Sequence, residues 1–283
     1  MKSHSKRLIV TTLITVFAFF LFSNPDLSDA DITAKSNSGI EVTYIANEGV
    51  LISAGNRQAL IDGLHREYKP DYLFPSPDLL KKIETAQPPF DQIDLVLVSH
   101  IHLDHFHAES VGLHLKSNRR ATLVSSQQVV EGVEKEFSDY SLIKSRIKTV
   151  TPKWKEKSEI NINGIDLTIL GLRHGTERFY GLQNLGHIVR LGGRKFLHIG
   201  DAEWSTENFD KFNLAQEQID IAFIPYWFLL YKPGQTIVRD YIKPRHIIAF
   251  HISPQEAEEV SKKIRDVFPD AVCFTKSMEK RVF

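Results

Sequence analysis

The run Asp94-Leu95-Val96-Leu97-Val98-Ser99 leads directly into His100-Ile101-His102-Leu103-Asp104-His105-Phe106. No other feature constrains the chain as tightly. A continuous apolar run of this length reads as a strand buried on both faces, so the fold must cover a sheet on two sides. Four ligand-type side chains, His100, His102, Asp104 and His105, then fall at the end of that strand. A strand end opening into a loop leaves room for water and substrate. Imidazole and carboxylate together favour zinc or another borderline first-row metal. His100 and His102 are two apart and point the same way if the strand pattern persists. Asp104 and His105 lie in the following turn and can face a second ion. The competing reading is a solvated His-rich turn, but a chance HxHxDH after an all-apolar strand is rare.

Around this cluster the pattern is that of a mixed α/β domain with two sheets, not a regular βαβ array. Ile40, Val42 and Tyr44 alternate with polar residues, and 49–53 and 58–62 follow as β-rich runs separated by Gly55-Asn56-Arg57, a hairpin pattern. Strands are expected at 121–124, 165–170, 185–191, 195–200, 219–224, 246–250 and 272–275. Helices are expected near 107–117, 127–137 and 255–267, the last with Ser253 as cap and Pro254 in its first turn. Residues 64–90 carry five prolines and four aromatic residues. A loop of that length in a compact domain is usually functional, and Leu79 to Ile83 reads as one or two helical turns inside it.

The HxHxDH run resembles the metallo-β-lactamase superfamily, and the other pieces stand in that family's order over nearly all of 31–283. Leu60-Ile61-Asp62-Gly63 matches its early strand end, His174 its third histidine, Gly200-Asp201 its Gly-Asp, and His251 its last histidine. Leu172-Arg173-His174-Gly175 looks more like the branch of the ascorbate-phosphate lactonases and N-acyl-phosphatidylethanolamine phospholipases than like the lactamases. The resemblance implies a four-layer αβ/βα sandwich with two divalent metal ions at the sheet edge, zinc first, manganese or iron as alternatives. It implies His100, His102 and His174 on one ion, Asp104, His105 and His251 on the other, and Asp201 bridging. By the same resemblance Asp104 and Asp201 would carry the catalytic role. A metal-bridging hydroxide would cleave an ester, lactone or phosphodiester bond of a small-molecule or lipid-like substrate. The alternative is a non-hydrolytic metal-binding or envelope accessory protein on the same fold.

Other side chains carry two readings each. His187, inside a strand, competes with His174 for the third ligand role; the strand-end position favours His174. His198 reads as a core residue or a support for a ligand, His107 as a helix start or pocket rim, and His65 as an exposed loop residue or one reaching the site. Asp62 ends an apolar strand, where a carboxylate needs a strong donor such as a ligand histidine N–H. Residues 225–231 read equally as pocket wall and as core. Arg173 and Arg178 read equally as anion binders and as solvated charges.

Lys2, Lys6 and Arg7, the uncharged run Leu8 to Phe22, and Ser28-Asp29-Ala30 make an export signal over residues 1–30. The protein is then periplasmic or secreted, or membrane-anchored if the segment stays uncleaved. Cys273 is the only cysteine, so neither an internal disulfide nor a cysteine-based zinc site is available. Thirty-five basic and thirty-five acidic residues leave no electrostatic footprint for nucleic acid.

Overall fold

The computed structural model describes residues 39–283. The export signal expected over residues 1–30 lies outside them. Among the described residues no helix is long and apolar enough to cross a membrane.

Among the described residues fourteen strands form two seven-stranded sheets. The first holds β1 (Glu41–Ala46), β2 (Gly49–Ala54), β3 (Arg57–Ile61), β4 (Ile93–Leu97), β5 (Thr122–Ser125), β6 (Ile147–Thr149) and β14 (Lys280–Val282), in the order β14-β1-β2-β3-β4-β5-β6. The second holds β7 (Lys157–Ile162), β8 (Ile165–Leu172), β9 (Asn184–Leu191), β10 (Arg194–His198), β11 (Ile221–Pro225), β12 (His246–Phe250) and β13 (Val272–Cys273), in the order β13-β12-β11-β10-β9-β8-β7.

Period-two alternation sorts each strand's side chains between two cores. Val50 and Ile52, Ala59 and Ile61, Leu95 and Leu97 face Ile165, Leu167, Ile169, Phe196, Phe223 and Phe250 of the other sheet. The intervening Leu51, Leu60 and Val96 pack against α1 (Pro77–Glu84), α2 (Ala108–Ser117) and α3 (Gln127–Glu136). On the far side Leu197, Ala222 and Ile224 pack against α4 (Tyr226–Leu230), which α5 (Lys232–Thr236) follows, a π-helical turn Ile237–Ile242 and α6 (Ala257–Val267). The result is a four-layer αβ/βα sandwich. Phe223 and Phe250 are wholly buried between the sheets, where truncation to alanine costs about 3–5 kcal/mol.

Capping residues start the helices. Ser76 Oγ accepts from Leu79 N ahead of Pro77, and Ser126 Oγ accepts from Val129 N. His107, expected as a helix start or a pocket rim, caps α2 by accepting from Ser110 N. The cap expected at Ser253 is wrong. Helix α6 begins at Ala257, and Ser253 to Glu256 form a turn closed by Glu256 N donating to Ser253 O. Strands β6, β7 and β14 were not expected. All three lie at sheet edges, and β7 and β14 carry charged or polar residues at every other position or more, so no apolar run announces them.

Strand direction explains where the site forms. Strands β3, β4 and β5 are parallel, and so are β10, β11 and β12. Two antiparallel steps make β1 parallel to β3 and β8 parallel to β10. The C-terminal ends of β1, β3 and β4 therefore share one edge, as do those of β8, β10 and β12. The backbone bonds Leu185 N to Ser99 O (2.9 Å) and His251 N to Asn47 O (3.0 Å) tie the two edges together.

Candidate metal centre

Each expected ligand stands just beyond one of these strand ends. His100 to His105 follow β4, His174 follows β8, Asp201 follows β10 and His251 follows β12. The structure brings all seven into one buried pit, in two groups: His100, His102, His174 and Asp201, and Asp104, His105 and His251. Asp201 belongs to both by geometry. Its Oδ2 lies 3.5 Å from His174 Nε2 and 4.0 Å from His100 Nε2. Its Oδ1 lies 3.6 Å from His105 Nε2 and 3.5 Å from His251 Nε2. Asp104 Oδ2 stands 3.4 Å from each of those two nitrogens.

These separations fit a metal. Tetrahedral ligands with arms of about 2.1 Å are about 3.4 Å apart. His105 Nε2, His174 Nε2, His251 Nε2 and Asp201 Oδ1 are buried and have no hydrogen-bond partner. Buried polar atoms are ordinarily paired; these four all belong to the two ligand groups.

The surrounding bonds fix which ring atoms face inward. Asp62, a carboxylate, can only accept. Ser99 Oγ donates to Asp62 Oδ2 at 2.5 Å and Ser99 N donates to Oδ1 at 2.7 Å. Ser99 Oγ then accepts from His100 Nδ1 at 2.9 Å, leaving His100 Nε2 as a lone pair. His105 Nδ1 donates to Asp62 Oδ2 at 2.9 Å, freeing its Nε2 in the same way. The support for a ligand histidine expected of Asp62 is present, and one carboxylate orients two rings. Asn47 Nδ2 donates to the backbone oxygen and to Oδ2 of Asp104, both at 3.1 Å.

Charge follows the same division. Burial and the neighbouring His105 hold the pKa of His100 well below its usual value, and burial lowers that of His102. Burial opposes charge on His251 too, but Asp201 and Asp104 outweigh it and push the ring up to about 10. They also raise the pKa of His105 well above its usual value. Burial likewise opposes charge on Asp201, but His251 and His105 hold its carboxyl well below the usual range. The second group thus holds protons that a divalent cation would replace.

Backbone geometry is specialised here. Asp62 (φ 46) and His251 (φ 58) adopt the left-handed region, uncommon outside glycine and concentrated at functional sites. Gly200 (φ 55) has no alternative, because a Cβ would stand 2.5 Å from Asn184 Oδ1 and 2.8 Å from Ser99 Cβ. Backbone bonds from Gly175 N to Asp201 O and from Glu203 N to Arg173 O, each 2.9 Å, lace the His174 loop to the Asp201 loop.

The remaining histidines separate cleanly. His187 sits mid-strand opposite His198 and Ile169 and joins none of the ligand groups. His198 Nε2 donates to Glu48 O at 3.1 Å and its Nδ1 accepts from Gly200 N, so it braces two site loops. His65 is not exposed, as the loop reading had it. It is wholly buried, with Nε2 3.4 Å from Ala46 O. Two residues at the centre escaped the sequence reading, Asn47 and Glu48. They form the β1–β2 turn, and an Asn-Glu pair in a hairpin turn looks like a solvated surface.

A cavity of about 530 Å³ opens over Asp201 and His251. Tyr72, from the proline-rich 64–90 segment, and Trp227, from α4, set their rings against His251 at 5.3 and 5.0 Å. Residues 225–231 therefore serve both of their expected roles, since Phe228 and Leu229 are core while Tyr226 and Trp227 line the cavity. A neighbouring cavity of about 610 Å³ contains Arg173, whose guanidinium lies between Trp154 (3.3 Å) and Tyr180 (4.2 Å). Arg178 lies over the ring of Phe179.

A family model described as Beta-lactamase superfamily domain matches residues 73–274. N-acyl-phosphatidylethanolamine-hydrolyzing phospholipase D 1 of Caenorhabditis elegans is 27% identical over 242 residues, covering 81% of this chain and 62% of that protein. The chain thus spans less than two thirds of that relative's length. A UPF0173 metal-dependent hydrolase of Thermus thermophilus is 24% identical over 244 residues, covering 80% of this chain and 92% of that one. Among solved structures, the metallo hydrolase Igni18 of Ignicoccus hospitalis superposes with a TM-score of 0.58 at 15% identity, over 87% of this chain and 99% of that chain. A possible metal-dependent hydrolase of Veillonella parvula gives 0.58 at 18% identity, over 87% and 100%.

Proposed function

The chain belongs to the β-lactamase superfamily as a metal-dependent hydrolase, and from that membership we propose that it works with two divalent ions to cleave an ester, lactone or phosphodiester bond. The observation that carries this reading is the division of Asp201, one oxygen toward each ligand group. His100, His102 and His174 would hold one ion, Asp104, His105 and His251 the other, and Asp201 both, with zinc, manganese or iron as the metal. When bound, such ions acidify a water and polarise the electrophile. Asp62 and Ser99 keep His100 and His105 in the ligand tautomer, and Asn47 holds Asp104 in place. No step requires a covalent side-chain intermediate.

The cavity supports a small-molecule or lipid-like substrate. Its wall of Tyr72, Tyr226 and Trp227 suits an apolar group, while Ser253 and Gln255 offer polar contacts at its rim. The relative named for hydrolysing N-acyl-phosphatidylethanolamine makes a phosphodiester the first bond to test. The test is turnover of chromogenic phosphodiester, phosphomonoester, lactone and β-lactam substrates by metal-loaded and chelator-stripped protein. Metal-dependent turnover of a phosphodiester or lactone is expected, and equal turnover by stripped protein refutes the reading. Export is part of the same proposal: in the native host the mature chain should begin near Asp31 by mass spectrometry. Intact Met1 in a soluble cytoplasmic fraction contradicts it.

A further inference from the structure

Glu48 is unlike every other acid in the described residues. Its side chain is wholly buried, and neither carboxylate oxygen has a hydrogen-bond partner. The nearest donors, His105 Nδ1 and His198 Nε2, each stand 3.8 Å from Oε2, beyond hydrogen-bond reach. Both are already committed, His105 to Asp62 and His198 to the backbone oxygen of Glu48. No lysine or arginine of the described residues pairs with it. A buried carboxylate left this way is strongly destabilising unless it takes up a proton or meets a cation.

The place of Glu48 supplies the cation. Strand β1 runs parallel to β3, so the β1–β2 turn is delivered to the edge that carries the metal centre. A carboxylate oxygen of Glu48 lies within 4.8 Å of ligand atoms of both Asp201 and His251, which themselves lie within that distance of each other. Resting on the two-ion reading above, we propose that Glu48 is a further protein ligand of the second ion, joining Asp104, Asp201, His105 and His251 from the buried side. His251 and Asp201 also line the cavity, so the side facing substrate stays accessible.

Two consequences follow from the chemistry. With two divalent ions bound, Asp62, Asp104, Asp201 and Glu48 would carry four negative charges, the number that those ions neutralise. A second position with three carboxylates and two imidazoles is richer in hard oxygen donors than a four-ligand zinc site, which shifts its preference toward manganese or iron.

The test is titration of stripped wild-type protein and the Glu48→Gln and Glu48→Asp variants with manganese(II) and with zinc(II), followed by calorimetry and by loss of the free-manganese resonance signal. The wild type should take two ions. Glu48→Gln should keep one and lose at least tenfold in manganese affinity for the second, with a smaller loss for zinc. Glu48→Asp, which keeps the charge but withdraws the oxygens, should also bind the second manganese more weakly. Melting of the metal-free proteins reports folding: Glu48→Gln should melt no lower than wild type, since it buries no charge, yet gain less from added manganese. Both ions bound by Glu48→Gln with wild-type affinity overturns the assignment. No ion taken up by the wild type overturns the two-ion reading and the assignment with it.

Discussion

His105 Nδ1 donates a 2.9 Å hydrogen bond to Asp62 Oδ2, and that carboxylate also fixes His100 through Ser99. One residue that touches neither candidate metal position therefore sets a ring in each group. Asp62→Asn exchanges an acceptor-only group for one that can also donate. Metal affinity should fall about 10–100-fold while circular dichroism shows the fold retained. Affinity unchanged by titration would remove Asp62 from the account.

The two buried histidines that competed in the sequence give opposite outcomes. His174 stands 3.5 Å from Asp201, whereas His187 has neither a ring partner nor a place in a ligand group. His174→Ala should lose metal and activity together. His187→Ala should keep its metal and lose stability, by about 2–4 kcal/mol in urea denaturation. The reverse pattern in metal analysis would exchange the two roles.

Acid should weaken the fold at a histidine outside the ligand groups. His114 is wholly buried in α2, and its Nδ1 donates to Ile83 O at 2.6 Å. Burial lowers its pKa from 6.5 to about 4. As pH falls below 6.5 the unfolded chain takes up a proton that the folded chain refuses until about 4, so stability present above 6.5 is lost across that window. The loss is on the order of 3 kcal/mol. Urea midpoints at pH 7.5 and 4.5 should diverge less in His114→Gln than in wild type. Identical divergence would assign the acid sensitivity elsewhere.

The cavity wall makes a prediction about substrates. Trp227 is edge-on to His251 and lines the cavity beside Tyr226 and Tyr72. Trp227→Ala should lower kcat/KM about tenfold or more for substrates with an apolar group, and much less for small ones. An equal loss for both would mean that the ring positions His251 and does not contact substrate.

What the sequence disclosed and what it hid share one cause. The candidate ligands were legible because each sits where an apolar strand ends, and strand ends are marked by hydrophobic pattern. His174 was separable from His187 on that ground alone. Glu48 and Asn47 were not legible, because a polar pair between two hairpin strands has the same local pattern whether it meets solvent or a second sheet. Their burial comes from long-range contacts such as His251 N to Asn47 O and His198 Nε2 to Glu48 O. The same holds for β7 and β14, whose pairing with β8 and β1 is set by those partners and not by their own charged residues. The tight turn ahead of α6 placed Glu256, not Ser253, at its start.

The central claim is that Asp201 joins two ions, Oδ2 facing His100 and His174 and Oδ1 facing His105 and His251. Equilibrium metal titration of stripped wild type and Asp201→Asn tests it most directly. Wild type should bind two divalent ions per chain, and Asp201→Asn should bind both more weakly, the two affinities falling together. An Asp201→Asn protein that loses one ion while holding the other at wild-type affinity would contradict the bridge.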